Sequence, residues 1–380
     1  MTRLFVESFS SQICKHTHRH CGDLIKIVRR PEQTLAILAD GMGSGINANI
    51  QATLYVEYLF GLAEGGARVA DAVRSSLAML HRAKDHSGPW AAFNVVQIKQ
   101  DGEVDMYCYE APQPLLLSTS GIEEPVFRPE YWSGEIVQHS EVQLRPQEAI
   151  LVVSDGVTQA GLGRGLKRGW SLEGLKSFLV KERLDTAYQA PGIPGAVVRQ
   201  AHQLHQQEPA DDISTLTLAV RLPRQFHLLT GPPAQKNDLP KMLESFMNAS
   251  GTRAACGGTT SKLLAEYLEK PLRVHPGKFG SPAHFELEGI DLASEGTITL
   301  NRLNNIFSEP ELAEEAGYGP LRLLELINDA DEIHFWVGQA KNPAHNPSLK
   351  TAGMMTRVEV IRALTAKLGV AGKLVCTHWF

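Results

Sequence analysis

The sequence predicts an α+β protein in two parts: a sandwich-like domain over residues 1–222 and a smaller α/β domain over residues 223–380. Three observations carry that expectation. Along the first 220 residues or so, strand-period and helix-period stretches come in blocks: strands, two helices, strands, two helices and a strand. Such blocks segregate layers where a doubly wound sheet would alternate them. The stretch Arg221-Leu222-Pro223-Arg224-Gln225, charged and proline-containing, then reads as a boundary. Beyond it strands and helices alternate, the pattern of a second, α/β domain. A length of 380 residues gives each part enough chain to bury its own core.

The elements follow in order. Residues 4–10 and 23–29 read as strands, the second closed by a Pro31-Glu32-Gln33 turn. Residues 34–39 form an apolar run suited to a buried strand, which pairs with 23–29 across that turn. Helical spacing spans 45–64, with Ile50, Leu54, Val56, Leu59 and Phe60 placed for a core. It returns over 69–83, where Val73, Leu77 and Leu80 recur at i, i+4 and i+7. After Gly88-Pro89 the period becomes two. Residues 91–98 and 104–109 flank Asp101-Gly102, a hairpin signal. Short strands fit 114–118, 135–142, 149–153 and 213–220, and helices fit 172–181 and 194–205. In the second part, strands fit 226–229, 333–337 and 373–376, and helices fit 239–247, 260–269, 300–307, 321–327 and 358–368. No internal repeat or low-complexity tract interrupts the pattern.

Bulk properties exclude several function classes. The hydrophobic share of 43% and charged share of 21% are those of an ordinary globular chain. A formal net charge of -5 leaves no surplus of Lys and Arg for phosphates, so a nucleic-acid partner is not expected. No apolar run reaches the ~18 residues that span a bilayer, and the first residues lack the apolar centre of a secretory leader, so no membrane association is expected. Five cysteines, Cys14, Cys21, Cys108, Cys256 and Cys376, are too few and odd in number for a disulfide framework. A reducing cytoplasm is the expected home.

Chemistry concentrates at acidic residues where strands meet loops. Asp40-Gly41-Met42-Gly43-Ser44-Gly45 joins the apolar run 34–39 to the first long helix. A carboxylate on a rigid strand end, followed by glycines that let the backbone approach closely, suits one corner of a divalent-metal site. Gly22-Asp23 opens the second strand, Ser154-Asp155-Gly156-Val157 ends the apolar strand 149–153, and Asp211-Asp212-Ile213-Ser214 opens the last strand. Each alone reads equally as an ordinary Asp-Gly turn. Four together supply the oxygen ligands that Mg²⁺ or Mn²⁺ requires, and two adjacent ions could clamp an in-line phosphoryl displacement.

These four motifs, in this order, resemble those of the PPM metal-dependent Ser/Thr protein phosphatases, and the Asp-Gly-Met-Gly form resembles the bacterial stage II sporulation protein E (SpoIIE) branch. The resemblance spans about residues 4–222. It implies an α-β-β-α sandwich holding two Mn²⁺ or Mg²⁺ ions. By the same resemblance Asp40 bridges both ions, the Gly41 carbonyl binds one, Asp155 and Asp211 bind the other, and Asp23 acts through metal-bound water. Asp40, Asp155 and Asp211 are thus the expected catalytic residues, with Asp212 in support. The implied reaction is hydrolysis of phosphoserine or phosphothreonine by a metal-bridging hydroxide. The implied substrate is a phosphorylated signalling protein, such as a small antagonist in a partner-switching circuit. Relatives grip the phosphate with an Arg near the N-terminus, for which Arg19, Arg29 and Arg30 are the candidates here. Related phosphatases are switched by moving helices, and helices 45–64 and 69–83 are the expected switch. A homodimer is the candidate assembly.

Other features have two readings each. Cys14, His16, His18 and His20 alternate along an expected strand beside Cys21, which suits a Zn²⁺ site or, more plainly, a polar strand face or a loop near the active site. His81, Asp85 and His86 near a helix end read as capping or solvated groups. In the second part, Gly257, Gly258, Thr259 and Thr260 precede a helix and could bind a small anion through backbone N–H groups, or simply cap the helix. Polar loops at 289–296 and 338–346 could join that site. The C-terminal domain is accordingly expected to regulate or target the enzyme. The alternative is a signalling module in which that domain senses an anionic ligand or docks a partner and catalysis is secondary.

Overall fold

The computed structural model describes residues 3–16, 18–43, 45–84, 90–277, 282–340 and 353–380. Asp85, His86, Ser44 of the glycine motif and residues 341–346 of the second polar loop lie outside the described residues. The chain divides into two compact units, Met1–Leu222 and Pro223–Phe380.

The first unit runs β1 (Phe5–Ile13), β2 (Asp23–Arg29), β3 (Gln33–Gly41), α1 (Gly45–Glu64), α2 (Val69–Lys84), β4 (Ala91–Lys99), β5 (Glu103–Tyr109), β6 (Leu115–Leu117), β7 (Ile122–Glu123), β8 (Arg128–Trp132), β9 (Glu135–Gln143), β10 (Glu148–Val153), α3 (Asp155–Thr158), α4 (Ser171–Lys181), α5 (Ile193–Leu204) and β11 (Ile213–Arg221). Its strands form two sheets, ordered β1-β11-β10-β6-β7 and β2-β3-β4-β5-β9-β8.

Three apolar layers make this an α-β-β-α sandwich. Between the sheets lie Ala36, Leu38, Val96 and Met106 from one and Ile150, Val152, Leu216 and Leu218 from the other. Outside the second sheet, Leu35, Ile37 and Ala39 of β3 pack on α1 and α2; outside the first, Leu151 and Val153 pack on α4 and α5. β3 is therefore buried on both faces, which explains why residues 34–39 read as a continuous apolar run without alternation. Each large apolar side chain so buried contributes about 1.5–3 kcal/mol before the entropy of ordering is subtracted.

α1 corrects one expectation. Ala48, Ala52, Tyr55, Val56, Leu59 and Phe60 face the core, with Tyr55 stacked on Phe93 at 4.5 Å. Ile50 and Leu54, expected inside, are 50% and 53% exposed and share the outer face with Ile46 and Tyr58. The helix is apolar on both sides, so periodicity could not choose between them. The face that is buried combines the large Tyr55, Leu59 and Phe60 with the small Ala48 and Ala52. In α2, Val73, Leu77 and Leu80 are buried as expected. A second correction concerns Cys14 to Cys21. β1 ends at Ile13, so of the readings open for this segment its described residues take the loop and not the strand face. β8 had no forecast because it contains Pro129 and lies at a sheet edge, where a missing N–H is tolerated.

The second unit runs β12 (Gln225–Thr230), α6 (Leu239–Asn248), β13 (Thr252–Cys256), α7 (Gly258–Leu268), β14 (Arg273–His275), β15 (His284–Glu286), β16 (Leu292–Ser294), α8 (Thr297–Ile306), α9 (Tyr318–Asp329), β17 (Glu332–Val337), α10 (Arg357–Val370) and β18 (Leu374–Trp379). The sheet order is β14-β15-β16-β13-β12-β17-β18, and the five strands from β16 to β18 are parallel. One face packs on α8, α9 and α10 through Leu300, Leu323, Leu364 and Phe335. The other packs on α6 and α7 through Phe246, Leu264 and Trp336. This is an α/β unit. β13 and β16 escaped the sequence reading because they are short and built on alanines, and β16 occupies part of the expected 289–296 loop. Among the described residues no helix is long and apolar enough to cross a membrane.

Candidate metal centre

The four acidic motifs meet at one end of the sandwich. Asp23 and Asp40 are direct partners in the antiparallel β2–β3 ladder, and Gly41 pairs with Ala91 of β4. In the facing sheet Val153 pairs with Thr215, so Asp155, two residues beyond β10, and Asp211, two before β11, emerge together. The Ser154 amide donates to Ser214 O, and the Ser214 amide donates to Ser154 Oγ, fixing those two strand ends.

The carboxylates are close enough to disturb one another. Burial first, then the charges of Asp23, Asp155 and Asp211, push Asp40 up to about 9. Burial, with Asp212 and Asp155 nearby, pushes Asp23 up to about 7. Asp155 and Asp211 are raised as well, chiefly by burial. Both oxygens of Asp23 and Oδ1 of Asp155 are buried and make no hydrogen bond. Buried carboxylates in that condition call for a compensating positive charge. An all-oxygen donor set with orphaned oxygens fits hard divalent cations.

Other residues hold this set in place. Gln159 Nε2 donates to Asp155 Oδ2 at 2.8 Å, a support invisible to motif reading, although its i+4 position on a helix could have suggested it. Asp212 has backbone partners: its oxygens accept from the amides of Lys15 and Gly22, each at 2.8 Å, tying the chain before β2 to the start of β11. Gly41 lies hard against α1. A side chain there would sit 1.9 Å from Ala48 O, so only glycine permits the strand to pass the helix.

The remaining candidates divide. Cys14 and Cys21 place their sulfurs within 4.8 Å of an Asp212 oxygen and of each other, but His16, His18 and His20 do not join them. Burial, with Asp23 and Asp212 nearby, pushes the Cys21 thiol up. Arg29 and Arg30 sit six and seven residues from Asp23, about 20 Å along an extended strand. They bond Val6 O, Ser8 and Ala63 O, so they do not reach the cluster. His81 bonds Glu135 at 2.8 Å, away from the carboxylates. In the second unit Gly257 caps α7 and donates to Ser294 O, while the Thr260 hydroxyl accepts the Gly231 amide at 2.9 Å.

The sandwich and the unsatisfied carboxylates at its end fit a metal-dependent phosphatase. The chain belongs to the stage II sporulation protein E (SpoIIE) family, whose model matches residues 30–221. It is a protein-serine/threonine phosphatase by that membership. Solved structures are similar at low identity. The phosphatase domain of SpoIIE from Bacillus subtilis is 14% identical with a TM-score of 0.44, over 58% of this chain and 95% of that one. RsbX in complex with magnesium is 14% identical with a TM-score of 0.41, over 58% and 100%. The RsbU and RsbW domains of a Mycobacterium tuberculosis protein are 16% identical with a TM-score of 0.47, over 64% and 69%. No curated protein matches the chain.

Proposed function

We propose that this phosphatase acts in the cytoplasm on phosphoserine or phosphothreonine of a signalling protein, a small antagonist of a partner-switching circuit being the expected kind. Asp40, the Gly41 carbonyl, Asp155 and Asp211 would hold two Mn²⁺ or Mg²⁺ ions, with Asp23 acting through water. When bound, such ions acidify water and stabilise the charge that develops on a phosphoryl group. The observation that carries this reading is the convergence of Asp23, Asp40, Asp155 and Asp211 at one sandwich end, with buried oxygens left unsatisfied. Asp40 feels the charges of the other three, which places it among them, and by the family resemblance it would be shared by both ions. Asp40, Asp155 and Asp211 are half-buried, so a phosphorylated side chain can approach them, whereas Asp23 lies deeper.

The second unit would regulate or target this activity, with Gly257, Gly258, Thr259 and Thr260 receiving a small anion. Its support is location. That turn stands at the C-terminal end of a parallel strand, where open α/β sheets bind ligands, and opens a helix.

The test is hydrolysis of para-nitrophenyl phosphate and of a phosphoserine peptide by the full chain with Mn²⁺ or Mg²⁺, against Asp40→Asn. Turnover should fall by about 10²-fold or more in the variant and vanish on chelation. Equal rates for the two proteins would sink the assignment.

A further inference from the structure

A second cluster of donors lies in the second unit, on the face of the parallel sheet opposite α8, α9 and α10. His334 and Cys376 are register partners on adjacent strands β17 and β18, and Glu332 stands two residues before His334, on the same face. A carboxylate oxygen of Glu332, a ring nitrogen of His334 and Sγ of Cys376 all lie within 4.8 Å of one another. We propose that Glu332, His334 and Cys376 form a binding site for a borderline-soft divalent cation, Zn²⁺ foremost, separate from the carboxylate centre of the phosphatase unit.

The ligand atoms are already aimed. His334 Nε2 is buried and makes no hydrogen bond, which for a buried ring nitrogen needs an explanation. It stands 3.9 Å from Glu332 Oε1. A tetrahedral zinc with bonds of about 2.0–2.3 Å separates neighbouring donors by about 3.3–3.8 Å, so a small inward shift completes the site. The outer partners that zinc ligands require are also present. His334 Nδ1 meets His378 Nε2 at 3.2 Å, which orients the ring and leaves Nε2 for the metal. Glu332 Oε2 accepts from Gln225 Nε2 at 2.8 Å, and Gln225 Oε1 accepts in turn from Ser250 Oγ at 2.9 Å, so Oε1 is the oxygen directed at His334.

The donor set names the metal class. Thiolate with imidazole suits zinc and other borderline cations, and is a poor set for the Mg²⁺ or Mn²⁺ of the first unit. Sheet strands hold the ligands rigidly, and the Trp336 ring stacks on His378 with centroids 4.2 Å apart, walling one side. Three protein ligands leave a fourth position for water or an added ligand. The bound ion would cross-link the edge strand β18 to β17.

The test uses Co²⁺ as a spectroscopic substitute for Zn²⁺ on the metal-free full chain under reducing conditions. A near-ultraviolet thiolate-to-cobalt band should rise to saturation at one equivalent and be bleached by Zn²⁺. It should persist in Asp40→Asn and in Cys21→Ser, and be lost in Cys376→Ser, whose fold is checked by circular dichroism. His378→Ala, which keeps all three ligands, should weaken binding about 10–100-fold. Absence of the band in the natural chain overturns the proposal. So does its survival in Cys376→Ser.

Discussion

Asp40 and Gly41 show how little side-chain freedom the proposed metal centre has. Asp40 must stand among other carboxylates, and the next residue must clear the helix that the motif itself begins. Because a Cβ at Gly41 would meet Ala48 O at 1.9 Å, Gly41→Ala has to push α1 off the sheet or bend β3. Both movements displace Asp40. The expected result is a chain destabilised by about 1–3 kcal/mol in urea titration, as for other overpacked cores, with metal-dependent turnover lost even where the fold survives. Gly43→Ala is the control for a general loss of glycine: space there is open, with no atom within 4 Å, though its φ of +105° carries its own strain. The Gly41 effect should exceed it in metal affinity.

Among the elements, α2 is secured to the sheet by a buried polar group. Glu135, at the start of β9, accepts the Tyr109 hydroxyl of β5 on Oε2 at 2.7 Å and meets His81 of α2 through Oε1 at 2.8 Å. Tyr109 is 1% exposed, so its hydroxyl has no recourse to water. Glu135→Ala should therefore reduce stability by about 1–3 kcal/mol, more than truncating the half-exposed His81, as measured by chemical denaturation. If His81→Ala proves equally damaging, the clamp works through α2 and the Tyr109 bond is secondary. α1 behaves differently. It is held by Ala52 and the Tyr55–Phe93 stack on its buried face, and by polar contacts at its flank, Lys26 to Glu57 and Asn49 Nδ2 to Cys21 O.

At the scale of the whole molecule, the raised carboxylates make stability depend on pH in an uncommon direction. Asp40 and Asp23 are pushed up to about 9 and about 7 when folded, against an ordinary aspartate value near 3.9. The folded chain therefore holds more protons than the unfolded chain between about pH 4 and 9, and metal-free stability falls as pH rises through that window. The melting temperature of the metal-free chain should be higher at pH 5.5 than at pH 8.5. Mn²⁺ should raise it more at pH 8.5, since the ion binds the ionised carboxylates. Asp40→Asn should flatten the slope; an unchanged slope would show that the cluster does not carry it.

Sequence alone determined a good deal of this protein. The strand pairings of β2 with β3 and β4 with β5 follow from local turn signals, and the buried strands from continuous apolar runs, because both are written within a few residues. That the acidic motifs belong together was legible because their aspartates sit at strand ends beside glycines, and the fold brings them close. What required the tertiary structure is whatever depends on contacts between distant residues. Which face of α1 is buried was decided by its packing on the sheet, Tyr55 on Phe93 among others, since both faces carry apolar residues. How the chain before β2 is anchored was decided by Asp212, 190 residues beyond Gly22, whose carboxylate accepts from the amides of Lys15 and Gly22. The pairing of Glu332 and His334 with Cys376 exists only because β17 and β18 lie parallel and in register. Local periodicity records which way a side chain points, and only the folded chain decides what it meets.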